Sequence, residues 1–203
     1  MSDATCYLCG ETYTTRGIGR HLPSCIESSD PSASEEAEHL SISPVRGSRY
    51  RLEVAKQSGT SLDDIDRFLR AIWVECCGHL HSFDREAHDE LTYRYDFGST
   101  TSLRIRIQGK LSATYGVSPP GHDGIYVMAR NKPPEITCSH CARQATTLCA
   151  DHLYGEDPEG VLCDDCAEEH PCEEYLYSPI VNSPRTGVCG FTGAALTDWY
   201  PAV

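Results

Sequence analysis

Six of the twelve cysteines in this 203-residue chain stand in three Cys-x-x-Cys pairs, Cys6/Cys9, Cys138/Cys141 and Cys163/Cys166. Two thiols at that spacing share one tight knuckle, which suits a tetrahedral ion held by sulfur. The competing use of so many cysteines, a disulfide framework, needs an oxidising compartment. The opening residues Met1-Ser2-Asp3-Ala4-Thr5-Cys6 have neither the basic start nor the apolar stretch of a signal peptide. No apolar run approaches the roughly 18 residues that cross a bilayer. The expectation is a cytoplasmic protein, without a membrane segment, whose reduced thiols bind metal.

The first pair extends to Cys6-x2-Cys9-x11-His21-x3-Cys25, four good zinc ligands at finger spacing. Tyr13 and Ile18 between them can supply the small core that a ββα unit packs behind its ion. This pattern resembles a classical zinc finger whose last histidine has become cysteine, over residues 1–25. Only Arg16 and Arg20 are basic in the region, and Gly17 and Gly19 each weaken the helix by roughly 1 kcal/mol. Base reading requires basic and amide side chains along such a helix. Protein contact is therefore favoured over specific DNA recognition.

From Cys138 the potential ligands again come in pairs: Cys138/Cys141, Cys149/His152, Cys163/Cys166 and His170/Cys172. The outer Cys-x-x-Cys pairs have 21 residues between them, close to a zinc-ribbon loop. Cys138, Cys141, Cys163 and Cys166 are read as one zinc site. Pairs two and four, Cys149, His152, His170 and Cys172, can hold a further ion in a cross-brace. The order of pairs resembles B-box-like fingers. Two zinc ions are thus expected, and a third is available. Each set has four protein ligands, which points to structural rather than catalytic metal. Cys189 has no partner at ligand spacing and reads as a packed thiol.

Between these modules the sequence divides in two. Residues 26–44 are rich in Ser, Glu and Pro and read as a disordered linker. Residues 45–137 read as a mixed domain. Arg49 to Val54 alternates as a strand. Ser61 caps a helix whose Leu62, Ile65, Phe68, Leu69, Ile72 and Trp73 recur at helical spacing, and Gly78 is its expected stop. Leu91–Phe97 and Leu103–Ile107 alternate around Gly98-Ser99-Thr100-Thr101, an antiparallel hairpin. Ile125–Ala129 is a further strand. The fold class is α+β: a small domain with an antiparallel sheet and one main helix, flanked by two small zinc-binding modules at 1–25 and 138–203.

Tyr50-Arg51-Leu52-Glu53-Val54, Leu62-Asp63-Asp64-Ile65, Trp73, His79-Leu80-His81-Ser82-Phe83 and Tyr93-Arg94-Tyr95-Asp96-Phe97-Gly98-Ser99 together resemble the plasmid ORF-three-like family, also described as a transposon-passenger domain. The resemblance covers roughly residues 45–130. It lacks the family's Trp after the Asp-Phe-Gly run, and Cys76-Cys77 replaces the usual helix ending. It implies a compact α+β fold and no defined activity.

Charge limits the partners. The net charge is −13, and residues 138–203 carry 11 acidic side chains against 2 basic ones. Such a surface repels phosphate at ordinary salt. Only three of the seventeen basic residues are lysine, a bias that looks salt-adapted and points to a halophilic source. Two function classes stay open. One is a zinc-binding interaction or adaptor protein, with a protein partner, or nucleic acid if the chain serves a mobile element. The other is a metal or thiol enzyme using Cys76, Cys77, His79 and His81. The helix C-terminus beside those cysteines raises a thiol's pKa, so they read more simply as packed side chains, with His79 on the last carbonyls.

Overall fold

The computed structural model describes residues 3–47, 49–153 and 159–201. Its main element is an eight-stranded, wholly antiparallel sheet. In chain order the strands are β1 (Asp3–Cys6), β2 (Thr12–Thr14), β3 (Ala37–Pro44), β4 (Leu52–Gln57), β5 (His81–Ala87), β6 (Glu90–Tyr95), β7 (Thr101–Leu111) and β8 (Ile125–Asn131). In space they run β2-β1-β8-β4-β3-β7-β6-β5.

One helix covers each face. Helix α1 (Ile18–Ser28) lays Ile18, Leu22 and Cys25 against Ala4, Ala37, Ala55, Met128 and Ala129. Helix α2 (Leu62–Leu69), continued by a π turn over Arg70–Val74, buries Ile65, Phe68, Leu69, Ile72 and Trp73 against Leu40, Leu52, Val54, Tyr93, Leu103 and Val127 on the other face. Strand β8 contributes to both faces, and a bulge changes the face that its last residues take. Val54 pairs with Val127 and Glu53 with Ala129, so Met128 is the extra residue. The insertion shifts the two-residue alternation: Ile125 and Val127 join the α2 core, Ala129 the α1 core.

The chain is a mixed α+β structure with antiparallel sheets and several short helices. Two sequence expectations change. Residues 37–44 are no linker: β3 lies between β4 and β7, and Leu40 and Ile42 are buried. The acidic, Ser-rich composition belongs to residues 27–36, while Ala37 to Ile42 supplies enough apolar surface to order a strand. The N-terminal unit is also no freestanding appendage. It is a ββα unit, but β1 pairs with β8 through Ala4–Asn131 and Cys6–Ala129. The hairpin of β6 and β7 forms with Tyr95 opposite Thr101, and Arg104 and Arg106 both pair with Glu90.

The α2 helix ends at Val74, four residues before Gly78. The π turn leaves carbonyls without helical donors, and the C-terminal segment supplies them. Ser183 Oγ donates to Trp73 O (2.5 Å) and Leu196 N donates to Ala71 O (2.7 Å). Thr197 Oγ1 donates to Ile72 O (3.4 Å). The segment from Ser183 to Thr197 therefore returns across the middle domain.

The second cysteine-rich region is a small unit of its own. Strands β9 (Thr147–Cys149), β10 (Val161–Leu162) and β11 (Tyr177–Pro179) form a sheet in the order β10-β9-β11, with helices α3 (Ala150–Leu153) and α4 (Asp164–Glu168) between them.

Candidate metal centres

A tetrahedral zinc ion with bonds of about 2.3 Å to sulfur and about 2.05 Å to nitrogen sets ligand separations of about 3.8 Å (S–S), 3.6 Å (S–N) and 3.3 Å (N–N). Disulfides would place sulfurs only about 2.05 Å apart. All twelve cysteines are free thiols. All twelve fall into four groups of four Cys/His ligands, within each of which the ligand atoms lie within 4.8 Å of one another.

In the first group, β1 ends on Cys6 and the chain turns through Cys9. Gly10 completes the knuckle at φ 79°, a left-handed conformation that costs glycine little. Gly10 N donates to Cys6 O and Cys6 N donates to Glu11 O, both at 2.9 Å. His21 and Cys25 stand four apart on α1, hence on one helical face. Cys9 Sγ lies 3.4 Å from His21 Nε2, and Cys6 Sγ 3.8 Å from Cys25 Sγ. Burial, partly offset by the N–H groups of Leu8 and Cys9, pushes the Cys6 thiol up to about 12. A cation is the natural means of holding it as thiolate.

In the C-terminal unit the pairs alternate between two groups. Cys138, Cys141, Cys163 and Cys166 converge, with Cys141 Sγ 3.6 Å from Cys163 Sγ and 3.9 Å from Cys166 Sγ. Burial opposes ionisation of Cys138, but the N–H groups of Cys163, His140 and Cys141 outweigh it and bring the thiol down to about 6. Cys149, His152, His170 and Cys172 form the other group. His152 Nδ1 lies 3.7 Å from Cys149 Sγ, 3.2 Å from His170 Nε2 and 3.4 Å from Cys172 Sγ. His170 and Cys172, one residue apart, both reach the site because Tyr177 gathers their loop. Its hydroxyl lies within reach of the carbonyls of Ala167 (3.3 Å), His170 (3.4 Å) and Cys172 (3.1 Å).

Within the second of these groups, Gly160 ties Cys149 to His152. Its carbonyl accepts from Cys149 N at 2.8 Å and its N–H donates to His152 O at 3.0 Å. A Cβ here would stand 2.6 Å from Cys149 O and 2.7 Å from the His152 carbonyl carbon. Only glycine fits between the two ligand residues.

The fourth group differs from the sequence expectation. Cys76, Cys77 and His79 come together with Cys189, not with His81. His81 Nδ1 instead lies 3.3 Å from Asp66 Oδ1, and its ring stacks on Tyr93. Nor is Cys189 packed: it is exposed, and its Sγ lies 3.6 Å from His79 Nε2. Sequence spacing could not reveal a ligand 110 residues away. His79 does not cap the helix either, since its Nδ1 faces Asp96 Oδ1 at 3.6 Å.

No described helix is long and apolar enough to cross a membrane. No family model and no curated protein matches the chain. Among solved structures, a protein of unknown function from Methanosarcina mazei Go1 is similar at 19% identity and a TM-score of 0.36. The match covers 42% of this chain and 66% of that one, just under two thirds of its length.

Proposed function

We propose that this chain is a zinc-stabilised interaction protein whose zinc ions are structural. They would be held by Cys6, Cys9, His21 and Cys25, by Cys138, Cys141, Cys163 and Cys166, and by Cys149, His152, His170 and Cys172. The observation that carries this reading is the convergence of four ligand atoms within 4.8 Å in each group, with pairs in every group at tetrahedral-edge separations. Four protein ligands complete the coordination of zinc and leave no position for water, unlike a catalytic site.

A protein partner fits better than specific DNA. A base-reading finger inserts its helix into the major groove, whereas here Ile18, Leu22 and Cys25 press α1 onto the sheet. The exposed ridge of α1 offers Arg20, Pro23, Ser24 and Glu27, without net positive charge. Around the C-terminal centres Asp164, Asp165, Glu168, Glu169, Glu173 and Glu174 are all exposed, a field that repels phosphate.

Metal analysis of freshly purified, reduced protein tests the reading, with at least three zinc ions per chain expected and fewer than one overturning it. A mobility-shift assay with mixed-sequence duplex DNA tests the partner class. No retention is expected at 0.15 M salt, and retention there would overturn the preference for protein.

A further inference from the structure

The turn after α2 and the C-terminal tail meet at Cys76, Cys77, His79 and Cys189, and the surroundings of this group are those of a built metal site. Metal-bound imidazoles characteristically direct their second ring nitrogen at a carboxylate, which fixes the tautomer and aims the ligating nitrogen. His79 has this arrangement: Nε2 faces Cys189 Sγ at 3.6 Å and Nδ1 faces Asp96 Oδ1 at 3.6 Å. Asp96 is itself held, its Oδ2 accepting from Arg185 Nη2 at 2.6 Å and its Oδ1 from Gly98 N at 3.0 Å.

Arg185 does more than hold Asp96. It is wholly buried, and its Nε donates to Cys76 Sγ at 3.3 Å while Nη1 donates to Ser99 O and Thr101 Oγ1. The guanidinium is thus fixed against one of the three sulfurs of the group. Arg185 and Cys189 lie four residues apart on the same tail, so one segment delivers both the cation and the last ligand. Cys189 reaches the group from a left-handed backbone (φ 56°), unusual for a residue other than glycine.

We propose that Cys76, Cys77, His79 and Cys189 bind a further zinc ion, a three-sulfur, one-nitrogen site that clips the C-terminal tail to the end of α2. It stands apart from the three centres of the proposed function, since its ligands come from the middle domain and the tail. Its loss would leave those centres intact.

The test uses the exposure of two ligands. Cys77 and Cys189 are open to solvent, so uncoordinated thiols there are accessible to iodoacetamide. In full-length, zinc-loaded wild-type protein, peptide mass spectrometry is expected to find both protected, and modified only after a chelator is added. Prompt alkylation of both while Cys9 and Cys141 stay protected would overturn this site and leave the other centres standing. A disulfide linking Cys189 to Cys76 or Cys77 in reduced, zinc-loaded protein would also overturn it. Native mass spectrometry supplies the count. Wild type is expected to hold four zinc ions and the Cys77→Ser/Cys189→Ser variant three, whereas equal counts would sink the assignment.

Discussion

The ring of Tyr13 lies against the imidazole of His21, centroids 4.0 Å apart and planes 19° from parallel. Tyr13 stands on β2 and His21 on α1, so the stack fixes a ligand on one element from another. Groups that orient metal ligands typically contribute 10–100-fold in affinity. Tyr13→Ala is expected to weaken zinc binding at the first centre by about 10-fold on that basis, and Tyr13→Phe to leave it unchanged. The alkylation rate of Cys9 under chelator challenge reads this centre alone. Equal rates in wild type and Tyr13→Ala would refute the role.

Gly160→Ala is expected to damage the centre of Cys149, His152, His170 and Cys172. The added methyl collides with backbone at Cys149 and His152, which cannot swing aside as a side chain would. The bound zinc count should fall by one, with alkylation of Cys149 and Cys172 rising while Cys6 and Cys25 stay protected. An unchanged count would show that the module absorbs the clash.

The cysteine pairs were legible because zinc coordination imposes local spacing. Cys6/Cys9, Cys138/Cys141 and Cys163/Cys166 announce knuckles without any knowledge of the fold. The helix from Ser61 and the hairpin from Leu91 to Ile107 were legible for a similar reason, since caps, turn residues and apolar periodicity act over a few residues. What spacing could not convey was tertiary. Cys189 becomes a candidate ligand only because the tail supplies donors to the carbonyls of Ala71, Ile72 and Trp73. Residues 37–44 were hidden by their polar neighbours, although Leu40 and Ile42 carry a strand's alternation. The merger of the N-terminal unit with the sheet depends on β8, more than a hundred residues away.

Arg130 is a buried cation that the tail surrounds. Its Nη1 donates to Trp199 O at 2.6 Å and Leu196 O at 3.3 Å, and Nη2 to Thr197 O at 2.6 Å. Arg130→Met would strand these carbonyls, and hydrogen bonds from a charged donor contribute about 1.5–3 kcal/mol each. The expected loss in urea unfolding is about 3 kcal/mol. In a chain truncated after Ala195 the same substitution should cost under about 1 kcal/mol, because the acceptors are gone and water reaches the guanidinium. Equal costs in both backgrounds would mean that the tail does not depend on Arg130.

Ser61 and Asp64 form a reciprocal cap on α2: Asp64 N donates to Ser61 Oγ at 3.2 Å, and Ser61 N donates to Asp64 Oδ2 at 2.8 Å. Ser61→Ala is expected to cost about 1 kcal/mol. The Ser61 hydroxyl and N–H, and Arg67, hold the Asp64 carboxyl below its ordinary range. A depressed folded pKa means stabilisation present above the unfolded value of about 3.9 and lost as pH falls through the folded one. The stability gap between wild type and Asp64→Asn should therefore be full at pH 7 and shrink below about pH 4. A gap independent of pH would assign the cap to neutral hydrogen bonds.

Chelation should separate the three parts of the molecule. The C-terminal unit has little apolar core beyond Ala145, Leu148 and Leu162, so its order depends on its metal centres, as in small metal-dependent domains. The middle sheet has a core of its own, from Leu40 and Ile42 to Phe68, Trp73 and Val127. The N-terminal unit lies between these cases, because Ile18 and Leu22 pack on Ala55, Met128 and Ala129 of the sheet. Hydrogen exchange after chelator treatment is expected to show residues 138–153 and 159–179 fully unprotected, β3 and β7 unchanged, and α1 only partly opened. A freestanding finger would lose α1 completely. Complete loss there would mean that pairing of β1 with β8 does not hold the N-terminal unit without its ion, whereas protected C-terminal amides would deny the metal its structural role.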